Sequence, residues 1–251
     1  MLFEYEASPY CRRVRETLCV LGLRALVLPC PRETLRLEGA YGPSSKHKGD
    51  ILALGGKLLF PFLVDRTAGV ALNESRAICM HLWQHYGDGV DRPWIDELLN
   101  NGRLPHALDF ALLAAPSGVR PTSGLMAAQA TAHLAALREQ PLVLHGCEPD
   151  AGCRSVRELL CELQLPWVHV PTSTASPIPH LEDPTTGFAT FGACRAIEYI
   201  EERYRLSARA SITAAVPDPN LGDGDRTSWL TQLLSLVPGS QPFVEASSPR
   251  N

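Results

Sequence analysis

Long apolar runs, a strong net charge and paired cysteine motifs are all missing from this chain of 251 residues. A membrane-spanning helix needs roughly 18 to 20 apolar residues in a row, and the most apolar stretches, 108–115 and 124–136, are short or interrupted. The net charge of −4 and the pI near 6.1 provide no basic field for binding phosphates. The sequence therefore predicts a soluble or peripheral protein that binds no nucleic acid.

The eight cysteines form no Cys-x-x-Cys pair and have no histidine at metal-ligand spacing, so no metal site is expected. A chain of this length can bury a core without disulfides, which favours reduced thiols in an intracellular compartment. The apolar pattern begins at Leu2 and leaves no room for a signal or transit peptide. We therefore expect either a cytoplasmic protein that starts at Met1 or a numbering that begins at a processed terminus.

An internal repeat organises the chain. Residues 11–23, CRRVRETLCVLGL, match residues 153–165, CRSVRELLCELQL, at nine of thirteen positions and a constant offset of 142. Apolar segments on both sides predict strand, helix, strand. Downstream, 60–87 and 178–205 each contain an X-Pro step, a short strand, an Asp-x-x-x-Gly turn, a second strand and an amphipathic helix. Each copy is therefore predicted to be βαβ followed by ββα.

The two copies differ in length. The first has room for a further helix between Leu28 and Pro61, whereas the second has only 171–178 there, so we expect the second copy to have lost that helix. A Pro/Gly/Ser-rich tail, expected to be disordered unless it docks on a partner, has its apolar cluster at 229–234. The predicted organisation is a first domain over 1–87, a linker over 88–140 with a helix at 125–138, a second domain over 141–206 and a tail over 207–251.

Several motifs carry a family resemblance: EYEASPYCRRVRE from Glu4, LPCPRE from Leu28, GGKLLFPFLVD from Gly55, the Asn-Glu-Ser step at 73–75, and CRSVRELLCELQLP and PHLEDPTTG in the second copy. Together they resemble the thioredoxin-like N-terminal domain of glutathione transferases and glutaredoxins. They are more similar to a plastid family of plants and algae with two such domains in tandem. The resemblance implies an α/β fold of two tandem thioredoxin-like domains, the second lacking one helix, in the plastid stroma or at the stromal face of the thylakoid.

The resemblance also implies a glutathione site in the first copy. The Phe60–Pro61 bond is expected to be cis and to present backbone groups of Phe60 to the cysteinyl part of glutathione. The γ-glutamyl carboxylate would lie against Glu74 and Ser75, because a helix N-terminus offers free N–H groups and a positive dipole end. Lys57, or the Lys-His-Lys cluster at 46–48, would face the glycyl carboxylate.

The catalytic candidates are Ser8 and Cys11. Ser8 stands where a glutaredoxin has its nucleophilic cysteine and where serine-type transferases have the hydroxyl that stabilises the glutathione thiolate. Cys11 stands at the resolving position. The alternative for Ser8 and Pro9 is a simple helix start, since both residue types are preferred there. Glu74 and Ser75 have the same alternative.

Other residues of the first helix are interpreted structurally. The run of Arg12, Arg13 and Arg15 is predicted to be a solvated helix face, with one member facing a partner as the alternative. Cys19 and Cys161, which recur at the repeat offset, are predicted to be buried packing residues.

The second copy departs further from the glutathione-site pattern. Cys147 is aligned with Ser8, with additional residues before Cys153, and a disulfide between these two cysteines is left open. Ala193–Cys194 is taken to replace Glu-Ser, which removes the acidic and hydroxyl groups. We therefore expect the second copy to be structural and free of ligand.

Two functions follow from these patterns. In the first, the protein is a structural or assembly subunit that docks through its tail on a large plastid complex, such as a photosystem, at the periphery of the membrane. Its motivation is the missing exchange cysteine and the degenerate second copy. In the alternative, the first domain is a glutathione-dependent transferase or thiol oxidoreductase. Whether the protein is an enzyme is left open by the sequence.

Overall fold

The computed structural model describes residues 1–31, 45–94 and 139–205. We call the first two segments the first half and the third segment the second half. The predicted linker helix at 125–138 and the tail after residue 206 lie outside the described residues. The first half contains β1 (Leu2–Glu4), α1 (Pro9–Val20), β2 (Ala25–Pro29), α2 (Ser45–Ala53), β3 (Phe62–Asp65), β4 (Val70–Asn73) and α3 (Ser75–Tyr86). The second half contains β5 (Leu142–Gly146), α4 (Ala151–Glu162), β6 (Trp167–Pro171), β7 (His180–Asp183), β8 (Phe188–Phe191) and α5 (Ala193–Tyr204).

All eight strands belong to one mixed sheet, in the order β4-β3-β1-β2-β6-β5-β7-β8. Within each half, a parallel pair formed across the βαβ crossover is extended by an antiparallel hairpin. The halves meet through the antiparallel pair β2–β6, in which Leu26 lies opposite Val168. The strand order therefore reads the same from either edge, and the halves are related by an approximate two-fold axis between β2 and β6.

The helices that follow β1 and β5 begin in the same way. The side chain of Ser8 accepts a hydrogen bond from the backbone N–H of Cys11, and Asp150 does the same for Cys153. Such caps satisfy donors that a helix leaves free in its first turn. The two caps are separated by the repeat offset of 142, so Ser8 corresponds to Asp150. The alignment of Cys147 with Ser8 was wrong, and no extra residues precede Cys153.

The predicted Asp-x-x-x-Gly turns are confirmed in both hairpins. Asp65 and Asp183 each accept a hydrogen bond from the backbone N–H two residues later, at 3.0 and 2.9 Å. Gly69 and Gly187 end the turns with φ of 68° and 74°, a conformation that glycine adopts without steric cost.

A helix covers the second face of the sheet in the first half. The helices α1 and α3 pack on one face, and Ile51 of α2 packs on the other with Phe3, Phe62 and Val64. The prediction that the second half has lost this helix is confirmed, because the chain runs from β6 to β7 over 172–179 without one. Within the described residues, no helix is long and apolar enough to cross a membrane.

Candidate functional site

The predicted glutathione site lies where β3 begins and β4 ends. Phe62 pairs with Asn73 in the antiparallel register, so the preceding Pro61 lies beside Glu74. The Phe60–Pro61 bond is cis, as predicted, and Ile178–Pro179 in the second half is cis as well. The ring of Phe60 packs edge-on against the ring of Tyr5, with 6.2 Å between the ring centroids, which joins this loop to the segment between β1 and α1.

Asn73 fixes the loop that leads to Pro61. Its side-chain oxygen accepts from the backbone N–H of Lys57 at 3.0 Å, and its amide donates to the carbonyls of Lys57 and Leu59 at 3.4 and 3.0 Å. The side chain of Lys57 is exposed beside this loop. The ammonium group of Lys57 is therefore accessible beside this loop, and its role toward the glycyl carboxylate stays a prediction.

Glu74 has a strained backbone. It precedes α3 with φ 74° and ψ 113°, its side chain is exposed, and it makes no capping hydrogen bond. A non-glycine residue with positive φ of this kind costs of order 1–3 kcal/mol. The corresponding residue of the second half is Gly192, with φ 87° and ψ 144°. The second half thus forms this turn with a glycine and without strain, whereas the first half forms the same turn with a strained glutamate.

This comparison corrects a second alignment. Gly192 and Ala193 stand in the places of Glu74 and Ser75, one residue earlier than the sequence suggested, because α5 begins at Ala193. The loss of the acidic and hydroxyl groups holds in the corrected alignment too. Ser75 itself is buried as the first residue of α3.

The two catalytic candidates lie together in the interior. Ser8 is 1% exposed, and its hydroxyl oxygen accepts the backbone N–H of Cys11 at 3.3 Å. Cys11 is fully buried, and this burial raises the pKa of its thiol to about 12. Ser8 therefore acts as the helix cap described above, and Cys11 holds its proton at neutral pH.

The basic cluster at 46–48 does not form a single surface. His47 is buried, lies 3.3 Å from the carboxylate of Asp50 and packs edge-on against the ring of Phe3. Lys48 is exposed, and the side chain of Lys46 lies outside the described part of the chain.

A buried polar cluster joins the two halves. We call it the inter-half ion cluster; its members are Glu4, Glu6, Arg15, Glu148 and Arg157, all at most 6% exposed. Arg15 of α1 binds Glu148 of the second half through two hydrogen bonds of 2.9 and 3.1 Å. Arg157 of α4 binds Glu6 of the first half through two bonds of 3.1 and 3.2 Å. Each half thus extends an arginine to the carboxylate of the other.

Glu4 breaks the symmetry of this cluster. Its carboxylate pairs with Arg15, whereas Gly146 holds the equivalent place in the second half. The cluster then contains three carboxylates and two guanidiniums. Burial and the nearby Glu6 and Glu148 outweigh Arg15 and raise the pKa of Glu4 to about 7. Burial also opposes the charge of Glu148, but Arg15 and Arg157 prevail and lower the pKa of that carboxyl.

The prediction of a solvated arginine face was wrong. Arg13 and Arg15 are 3% and 2% exposed, and Arg12 is the most exposed of the three, paired with Glu16 at 2.8 Å. The reason is the β2–β6 pairing, which places α1 beside the loop that carries Glu148. Arg15 is removed from water there, and its charge is balanced by Glu148 of the other half together with Glu4 and Glu6 of its own half.

The cysteines contribute to the same boundary. The Sγ of Cys161 is buried and accepts the backbone N–H of Glu6 at 3.4 Å, in agreement with the predicted packing role. Cys19 lies 3.3 Å from the ring nitrogen of His169, and burial raises its pKa to about 11. All eight cysteines, all of them in the described part, are free thiols, so Cys147 and Cys153 form no disulfide.

One group of residues that the sequence analysis missed lies on the face of the second half that no helix of the described residues covers. His145, His180 and Glu182 each offer a ligand atom, and the three atoms lie within 4.8 Å of one another. Their equivalents in the first half, at the two repeat offsets, are Phe3, Phe62 and Val64, the residues that α2 covers. Comparing the copies position by position is the signal that would have identified them.

Comparison with known families agrees with the geometry of the first half. Residues 2–93 match the family described as glutathione S-transferase, N-terminal domain. No curated protein matches the chain. The first half is therefore similar to a glutathione-transferase N-terminal domain, and its mixed α/β order is consistent with a thioredoxin-like fold.

Proposed function

We propose that the first half binds glutathione and that the protein acts as a structural subunit rather than as an efficient transferase. The observation that carries the binding proposal is the strained glutamate. A side chain at φ 74° is kept at Glu74, whereas glycine occupies the same turn of the second half. Strain of this kind persists where the side chain has a use.

In the proposed complex, each part of glutathione meets a group of suitable charge. The α-ammonium of the γ-glutamyl group faces the exposed carboxylate of Glu74, and its carboxylate lies at the N-terminus of α3 beside Ser75. The cysteinyl backbone follows Phe60, and the glycyl carboxylate faces Lys57. The second half, with Gly192 and Ala193 at the matching turn, lacks both side chains and is not a glutathione site in this proposal.

The interior placement of the catalytic candidates supports binding without strong thiol activation. Ser8 uses its hydroxyl oxygen to cap α1, and the thiol of Cys11 is protonated at neutral pH. A transferase must instead direct a hydroxyl to the bound sulfur to favour the thiolate. The alternative of a transferase or thiol oxidoreductase predicts that Ser8→Ala abolishes conjugation; our proposal predicts little conjugation in either form.

The binding proposal is tested by calorimetric titration of the full chain with glutathione. Glu74→Gly should lose binding and at the same time raise the free energy of unfolding by about 1 kcal/mol, because it relieves the backbone strain. The control is Glu202→Ala, on an exposed position of α5, which should keep binding glutathione. Alanine is used there instead of glycine because glycine would weaken the helix. Unchanged affinity in Glu74→Gly would refute the site.

The structural role rests on the buried joint between the halves. The β2–β6 pairing joins the strands of both halves into one sheet of eight, and the inter-half ion cluster links the halves a second time, which supports a rigid unit suited to assembly. Following the resemblance, we propose the plastid as the location and the tail at 207–251 as the segment that docks on a photosynthetic complex. Deletion of the tail should abolish co-purification with that complex and leave glutathione binding intact; unchanged co-purification would exclude docking by the tail.

A further inference from the structure

The loss of one helix leaves a face of the second half uncovered within the described residues, and three side chains on that face have changed together. In the first half, Phe3, Phe62 and Val64 are at most 8% exposed beneath α2. At the same register positions of the second half stand His145, His180 and Glu182. Exposure alone favours polar residues there, but it does not favour two imidazoles and a carboxylate over other polar groups.

The strand geometry brings the three residues together. His145 of β5 lies directly opposite His180 of β7, and Glu182 is two residues further along β7, so all three lie on one face. Leu144 and Leu181 point to the opposite face and pack in the core with α4 and α5. The ligand-bearing face is therefore fixed by the burial of its neighbours.

The distances suit a metal ion. Glu182 Oε1 lies 3.0 Å from His145 Nε2 and 3.5 Å from His180 Nδ1. Zinc binds nitrogen and oxygen ligands at about 2.0–2.2 Å, so two ligand atoms on one tetrahedral ion lie roughly 3.4 Å apart. The ring of His180 is stacked on the ring of Phe191, with 4.2 Å between the ring centroids, which restricts the orientation of the imidazole.

We propose that His145, His180 and Glu182 bind a divalent first-row transition metal of the Zn²⁺ type. Two histidines and a carboxylate are a ligand set of zinc sites that keep a position open for water. The side chains are partly exposed, at 29%, 20% and 40%, so the ion would reach the site from solvent and exchange with it. The second half, expected from its sequence to be ligand-free, thus has a ligand site of a kind that the first half lacks.

The experiment is a Zn²⁺ titration of the full chain, reduced and stripped with EDTA, followed by calorimetry. The background carries Cys194→Ser, because Cys194 is an exposed thiol and a competing ligand. We expect saturable binding of one ion, weakened about tenfold or more by Glu182→Gln and by His145→Phe. The phenylalanine keeps the ring volume and restores the residue type of the first half.

His85→Gln is the matched control, since His85 is also exposed and lies beside another imidazole, that of His81, at 4.1 Å. It should bind Zn²⁺ as the parent does. Equal affinity in the parent, Glu182→Gln and His145→Phe, or no saturable binding by the parent, would overturn the proposal.

A second measurement needs no variant at the site. Zn²⁺ should protect His145 and His180 from carbethoxylation, mapped by mass spectrometry, and leave His85 reactive. Protection of His85 alone, or of none of the three, would overturn the proposal as well.

Discussion

Removal of Arg15 tests the energetic role of the inter-half ion cluster. In Arg15→Met, the buried carboxylates of Glu4 and Glu148 lose the guanidinium that binds both. Removing one partner of a buried pair typically costs about 3–5 kcal/mol, because a charge is left without compensation. Glu4 can take up a proton at little cost, since its pKa is already raised to about 7. Glu148 keeps Arg157 at 3.1 Å, so we expect a loss near the lower end, about 3 kcal/mol.

Arg12→Met is the matched control, because it makes the same chemical change three residues away on the same helix. Arg12 pairs with Glu16 one turn later, a pair that contributes about 0.3–0.5 kcal/mol, and lies 4.0 Å from Glu148, at the outer limit of an ion pair. The double variant Arg15→Met, Glu148→Gln should regain part of the loss, since it removes the charge left unpaired.

The assay is urea unfolding of the full chain at pH 7, followed by circular dichroism. If Arg15→Met and Arg12→Met differ by less than about 1 kcal/mol, the cluster does not join the halves energetically and the reasoning fails.

Three further predictions concern single positions. Folding raises the pKa of Glu4 from 4.5 to about 7, so the stabilising contribution of its protonated form is present below pH 4.5 and is lost as the pH rises to 7. In urea unfolding, the free energy of unfolding of the wild type should therefore fall by about 3 kcal/mol over that range relative to Glu4→Gln. A difference between the two proteins that stays constant with pH would contradict this. Gly146→Ala places a Cβ 2.4 Å from Cys153 Sγ and should lower the unfolding free energy by about 1–3 kcal/mol, with partial recovery when Cys153→Ala is added; no recovery would locate the strain elsewhere. Asp183→Asn removes the carboxylate that two tyrosine hydroxyls of α5 bind and should destabilise by about 1–3 kcal/mol in the same assay, whereas an unchanged midpoint would show that these bonds contribute nothing.

Much of each half could be predicted from the sequence because the repeat supplies two versions of the same pattern. The strand-helix-strand order, both Asp-x-x-x-Gly turns and the missing helix follow from local residue types and the length of the connections, and the cis bond at Pro61 follows from the family resemblance. These features depend on backbone preferences of a few residues, which a sequence carries directly.

The joint between the halves could not be predicted in the same way. The residues around Arg15 do not indicate that β2 pairs with β6. Without knowledge of that pairing, an arginine on a helix is expected to be solvated. Arg15 and Arg157, like Glu6 and Glu148, recur at the repeat offset, so the charges were visible but their partners were not. The alternation of buried and partly buried residues in β5, where β1 is buried throughout, likewise required the position of α2 to be interpreted.

Exposure at the candidate glutathione site follows the expectation only in part. Glu74 and Lys57 are exposed and Phe60 is half-buried, whereas Ser8 and Cys11 are interior residues; glutathione binding there stays a prediction. The difference arises because exposure depends on packing by distant segments, and the sequence motif at the start of α1 is the same for a capping serine and for a catalytic one.

The most direct test of the central claim, that the first half binds glutathione without ionising its thiol, is the pH dependence of binding. Titrations of the full chain with glutathione and with S-methylglutathione should be made between pH 6 and 8.5. We predict similar affinities for the two ligands and no change across that range, because neither Ser8 nor Cys11 stabilises a thiolate. Glutathione binding that strengthens with pH while that of the methylated ligand does not, or no binding of either, would contradict the account.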